Sequence, residues 1–203
     1  MAVAANACFP PERDTGHFVR FYHAESVLVS EIAEFATRAL RAGGRAVLIA
    51  TRGHLSAVTA RLQTLQASDA ALAASTQRLV ALDADEVLSR FMVDGWPDEA
   101  RFFSSVGTLM GSVTAQTGGP VHAFGEMVSL LCERGLHDAA VRLEALWNEL
   151  ARRCAFTLFC AYPHALFSNA EHSPVFEHIC AAHTHVLPSE LLTGADETQA
   201  HRL

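Results

Sequence analysis

The sequence predicts an α/β fold, a three-layer sandwich with a mostly parallel central sheet flanked by helices. Short apolar runs of strand length alternate with longer stretches of helical period, the signature of a sheet whose crossovers are helices. One run, RAVLIAT (Arg45–Thr51), is apolar almost throughout, as a strand covered on both faces must be. Right-handed crossovers then bring every strand-to-helix loop to one edge of the sheet, where ligands bind in such folds.

The elements follow in order. Residues 1–14 read as a loose N-terminal arm, 15–190 as the α/β domain and 191–203 as a polar C-terminal tail. His17–Tyr22 is the first strand, with His17, Val19 and Phe21 on one face and Phe18, Arg20 and Tyr22 on the other. Glu25–Ala42 carries Val27, Leu28, Ile32, Phe35, Ala36, Ala39 and Leu40 at helical spacing, and Gly43-Gly44 closes that helix. Arg45–Thr51 is the second strand and Arg52–Leu65 the second helix. Arg78–Leu82 is a third strand, followed by a short helix capped by Asp83 or Asp85. The turn at 94–100 launches one helix, Asp98–Gln116, which TGGP ends. Val121–Met127 is the fourth strand, His137–Arg153 a helix with Trp147 on its apolar face, and Ala155–Tyr162 the fifth strand. A helix at Ser173–Ala182 and an edge strand at Thr184–Leu187 complete the domain.

Composition removes several classes of chemistry. The chain has 203 residues, half of them apolar, and a formal net charge of −7. That is enough apolar surface for a core and the wrong sign for a general nucleic-acid binder. All fifteen basic residues are arginine, so there is no phosphate-loop lysine and no lysine nucleophile. The first strand-to-helix loop, His23-Ala24-Glu25-Ser26, lacks glycine and places a carboxylate at the helix N-terminus, where it opposes a triphosphate. Five cysteines without a CxxC point to a reducing compartment. No apolar run reaches membrane-spanning length. The expectation is a cytoplasmic protein.

HFVRFY, LRAGGRAVLIAT, FMVDGWPDEARF, HAFGEMVSLL, LEALWNEL and LFCAYPHALF occur in that order. Together they resemble the methanogen/methylotroph sensory (MEDS) family over roughly residues 15–190. Gly125-Glu126-Met127 and Cys160-Ala161-Tyr162 are the most specific segments. The resemblance implies a RecA/KaiC-like fold without its phosphate loop, and a domain that senses small molecules in signalling proteins, often beside DNA-binding or histidine-kinase modules. No such module is recognisable in these residues, so the expected output runs through a separate partner, a histidine kinase or a transcription regulator.

The candidate ligand-binding residues are His17, Tyr22, His23, Glu126, Met127, Cys160 and Tyr162, expected to border a pocket at the carboxyl edge of the sheet. Tyr22 and His23 offer a phenol and a titratable imidazole. Glu126 needs a partner if buried, either loop amides or an arginine such as Arg52. The expected ligand is small and mostly apolar, no cofactor is predicted, and catalysis, ATP hydrolysis included, is not expected. Eleven histidines raise a metal alternative through His178, His183 and His185, and a haem alternative through His17, His23 or His183. A further alternative is a protein-interaction or oligomerisation module without a ligand. A homodimer is expected in either case.

Overall fold

The computed structural model describes residues 16–168 and 173–188. The arm at 1–14 and the tail at 191–203 lie outside the described residues, as does Cys8. The sheet order is β3-β2-β6-β7-β1-β8, and every adjacent pair is parallel. Its strands are β1 (Gly16–Tyr22), β2 (Arg45–Ala50), β3 (Leu79–Asp83), β6 (Val121–Gly125), β7 (Thr157–Pro163) and β8 (His185–Leu187). A two-residue hairpin, β4 (Met92–Val93) with β5 (Trp96–Pro97), stands apart. It turns through Asp94 and Gly95, both at positive φ.

Each face of the sheet has its own apolar layer. On one face Phe18, Tyr22, Ala46, Leu48, Phe124, Phe159 and Ala161 meet α1 (Glu25–Arg41), α2 (Arg52–Ala67) and α3 (Ala70–Ala73). On the other face Val19, Phe21, Val47, Ile49, Leu158, Cys160 and Tyr162 meet the remaining helices. These are α4 (Ala84–Ser89), α5 (Glu99–Phe102), α6 (Thr108–Ala115), α7 (Met127–Glu133), α8 (His137–Arg153) and α9 (Ser173–Ala182). The strict alternation along β1 and β7 assigns each side chain to a layer. Trp147 is fully buried in the second layer.

Local chemistry explains the boundaries. α1 ends in a Schellman pair, Gly43 N–H to Leu40 O and Gly44 N–H to Ala39 O, with Gly43 at φ 79°. A Cβ on Gly44 would lie 1.8 Å from Pro120 O, so only glycine fits between α1 and β6. Asp83 and Asp98 cap α4 and α5 by accepting from Glu86 N and Arg101 N. The buried Arg20 reaches Glu31 at 2.6 Å and ties β1 to α1.

Two expected elements differ. The single helix over Asp98–Gln116 is α5 and α6 joined by a π segment, Phe103–Gly107. Ser105 Oγ donates to Arg101 O and Phe102 O there, and Ser104 Oγ to Arg101 O; such back-bonding loosens the regular ladder. The fourth strand stops at Gly125, and Met127 begins α7 rather than ending the strand.

Candidate functional site

The seven candidate residues do not share one pocket. Tyr22 is buried beneath α1 and α2, and its phenol is pushed upward by burial and then by Glu25 and Glu126. His23 is exposed and stacks on His164 with ring centroids 4.3 Å apart. Met127 is a core side chain with no exposed surface. Glu126 belongs to the carboxyl edge, whereas His17, Cys160 and Tyr162 converge inside the opposite layer.

At the carboxyl edge, Glu126 links the ends of three strands. Its Oε2 accepts from Thr51 N at 2.7 Å, and its Oε1 meets His54 Nδ1 at 2.6 Å. His54 Nε2 meets Glu25 at the start of α1. The imidazole between two carboxylates is raised to about 9, chiefly by its hydrogen bond to Glu126, so it is cationic at neutral pH. Arg52 pairs with Asp83 and Glu86 instead of Glu126. The loop-amide reading of Glu126 therefore describes the structure, and the arginine reading does not. The loop His23–Ser26 thus holds Glu25 as a strut against His54. Beside this clamp lies an open cleft of about 500 Å³ lined by Thr51, Arg52, Asp83, Asp85, Glu86 and Ser89. Every residue lining it carries a charge or a hydroxyl.

The second constellation sits between the sheet and helices α8 and α9. Cys160 is in the middle of β7, not at its end, and shares a face with Tyr162 and with His17 of β1. α8 supplies Glu144, and the turn after α9 supplies His183. Among the described residues, His17, Glu144, Cys160 and His183 form one group whose donor atoms lie within 4.8 Å of one another, all buried. His17 Nε2 is 3.3 Å from Cys160 Sγ and 3.3 Å from Glu144 Oε2. Cys160 Sγ is 3.9 Å from the same oxygen. Tyr162 donates to Glu144 Oε1 at 2.5 Å, and His183 Nε2 lies 3.5 Å from that oxygen. The His17 and His183 rings are 3.9 Å apart.

The hydrogen bonds on the outer side of each ring set its tautomer. His17 Nδ1 is 3.0 Å from Asn148 Oδ1, and that amide is oriented by Asn148 Nδ2 donating to Ala182 O at 2.7 Å. His183 Nδ1 is 2.6 Å from Ile179 O. Both outer partners are acceptors, so both Nδ1 atoms carry a proton and both Nε2 atoms face Glu144 and Cys160. His183 Nε2 has no hydrogen-bond partner although it is fully buried. Burial dominates the electrostatics: it drives His17 well below its usual range, Glu144 upward, and Cys160 and Tyr162 well above theirs. The geometric ion pair between His17 and Glu144 is thus held mainly in its uncharged form.

Sequence reasoning missed Glu144 and His54. Glu144 lies four residues after Ala140 and three before Trp147, on the face of α8 that packs inward; a carboxylate at that register was a readable signal. The histidine trio proposed from the sequence does not assemble. His178 is exposed and bonds Pro174 O, His185 packs on Phe18, and only His183 enters a cluster.

A family model described as the MEthanogen/methylotroph, DcmR Sensory domain matches residues 16–184. The chain belongs to the MEDS family. Both constellations fall inside the matched span, and MEDS is a family of sensory domains, which gives this chain a sensory or regulatory role. No curated protein matches the chain. Among the described residues no helix is long and apolar enough to cross a membrane.

Proposed function

We propose that this MEDS domain detects a small molecule or ion at the buried His17–Glu144–Cys160–His183 centre, and passes the result to a separate protein through α9 and β8. The observation that carries this reading is a fully buried polar group with an unpaired imidazole nitrogen. An uncompensated buried polar atom costs about 1–3 kcal/mol, and such local conflicts in a folded chain concentrate at functional sites. At the carboxyl edge Glu126 and His54 already satisfy each other, whereas His183 Nε2 is left without a partner, so the sensing reading moves to the other face of the sheet.

The route outward is short. His183 follows α9, and its neighbour Thr184 is hydrogen-bonded to His17 through both backbone and hydroxyl. A ligand that draws His17 and His183 together acts on β1, α9 and β8 at once, and it shifts a population only by its differential affinity for the two arrangements. Hydrogen exchange tests this. Removing whatever co-purifies with the protein, or introducing Glu144→Gln, is expected to change protection of α9 and β8 and to leave α2 unaltered. Identical exchange in all three preparations, with nothing co-purifying, contradicts a sensing centre and favours an interaction module without a ligand.

A further inference from the structure

We infer that His17, Glu144, Cys160 and His183 form a binding site for a divalent ion of the zinc class. The inference rests on the sensing centre proposed above and names what it takes.

Geometry comes first. A tetrahedral site with metal–donor distances of about 2.0–2.3 Å has donor–donor edges of roughly 3.3–3.8 Å. His17 Nε2, Cys160 Sγ and Glu144 Oε2 are separated by 3.3, 3.3 and 3.9 Å, His183 Nε2 is 3.5 Å from the other oxygen of Glu144, and the four donors lie within 4.8 Å of one another. The donors therefore stand within about an ångström of the edges of such a tetrahedron.

The donor chemistry agrees. Two imidazoles, one thiolate and one carboxylate are the ligand types of borderline divalent metals. A thiolate and a carboxylate together cancel the charge of a divalent ion, which is what a centre sealed from solvent requires. Four protein donors, all buried, describe a closed site rather than one with an open position for water.

The outer partners are those that metal ligands use. Each imidazole gives its Nδ1–H to an oxygen, Asn148 Oδ1 for His17 and Ile179 O for His183, and so presents Nε2 inward. Glu144 is held by the Tyr162 hydroxyl. Such hydrogen bonds fix ring orientation and ligand basicity. The unpartnered His183 Nε2, fully buried and pointed at Glu144, is the atom that a cation would satisfy.

The ligands come from four separate elements: β1, α8, β7 and the turn after α9. An ion held among them fastens α9 and β8 to the sheet, which is how occupancy reaches the surface. The histidines set by sequence spacing, His178 and His185, take no part.

The test uses the full chain, stripped with a chelator and titrated with Co²⁺, then with Zn²⁺ in competition. One equivalent of Co²⁺ is expected to give the intense visible bands of a tetrahedral ion and a thiolate charge-transfer band in the near ultraviolet, both erased by Zn²⁺. Cys160→Ser removes the charge-transfer band while far-ultraviolet circular dichroism stays native. Asn148→Ala keeps the band and weakens affinity about 10–100-fold. His178→Ala changes neither. Absence of tetrahedral bands in the folded wild type, or bands unaltered by Cys160→Ser, overturns the metal assignment. If native mass spectrometry then finds an organic molecule bound, the sensing reading stands without the metal; if nothing binds and α9 exchange is unresponsive, both fall.

Discussion

The two polar constellations of this domain lie on opposite terms with their surroundings. At the carboxyl edge, Glu25, His54, Glu126 and the Thr51 amide are partly solvated and fully partnered, and the imidazole between the carboxylates is charged. Under α8 and α9, His17, Glu144, Cys160 and His183 are buried together, His183 Nε2 has no hydrogen-bond partner, and burial favours the uncharged forms of His17 and Glu144. The first arrangement satisfies its members and ties strand ends together, so it is a clamp. The second gathers four possible ligand atoms with one imidazole nitrogen unpaired, so it is the one proposed above as the receptor. Position in the fold alone points the other way, since the carboxyl edge is where ligands of parallel sheets usually sit.

The sharpest way to break this comparison is mutation of one carboxylate from each region. Glu126→Ala strands the Thr51 amide and removes the carboxylate partner of His54 Nδ1, and is expected to lower stability by about 2–3 kcal/mol in denaturant unfolding. Glu144→Gln keeps the shape of the uncharged acid and, in chelator-treated protein, is expected to cost under about 1 kcal/mol or to stabilise. Equal losses at the two sites would erase the distinction between clamp and receptor.

The pH dependence of the clamp sharpens it further. The folded His54 imidazole is raised to about 9 by Glu126 and Glu25, above an unfolded value near 6.5. Its contribution is therefore fully present below about pH 6.5 and is lost as pH rises through about 9. Unfolding midpoints should fall across that window in wild type and flatten in His54→Asn. The smallest expected effect is His178→Ala, which lies outside both regions and should stay within about 0.5 kcal/mol of wild type.

Much of the architecture was legible because it is written locally. The apolar run Arg45–Thr51 reads as a doubly covered strand, and Arg45–Ala50 forms one. Gly43-Gly44 reads as a helix stop, and its two hydrogen bonds are those of the Schellman motif. The π segment was not legible, because Ser104 and Ser105 look like ordinary exposed helix residues until their hydroxyls bond back to Arg101 O. Three of the four members of the buried centre, His17, Cys160 and His183, were flagged for different reasons and at different places. What joins them is the pairing of β1 with β7, in register His17 to Leu158 and Val19 to Cys160, together with Thr184 returning to His17. Those contacts span more than half the chain, and no spacing rule reaches that far. Glu144 went unseen because a carboxylate in an amphipathic helix is read as solvent-facing by default, although its register with Ala140 and Trp147 places it inward.

Native mass spectrometry of the purified wild type beside Glu144→Gln and Glu126→Gln tests the central claim most directly. The account predicts a bound species on wild type that persists in Glu126→Gln and disappears in Glu144→Gln. A species retained by Glu144→Gln and lost in Glu126→Gln would contradict it and return the site to the carboxyl edge.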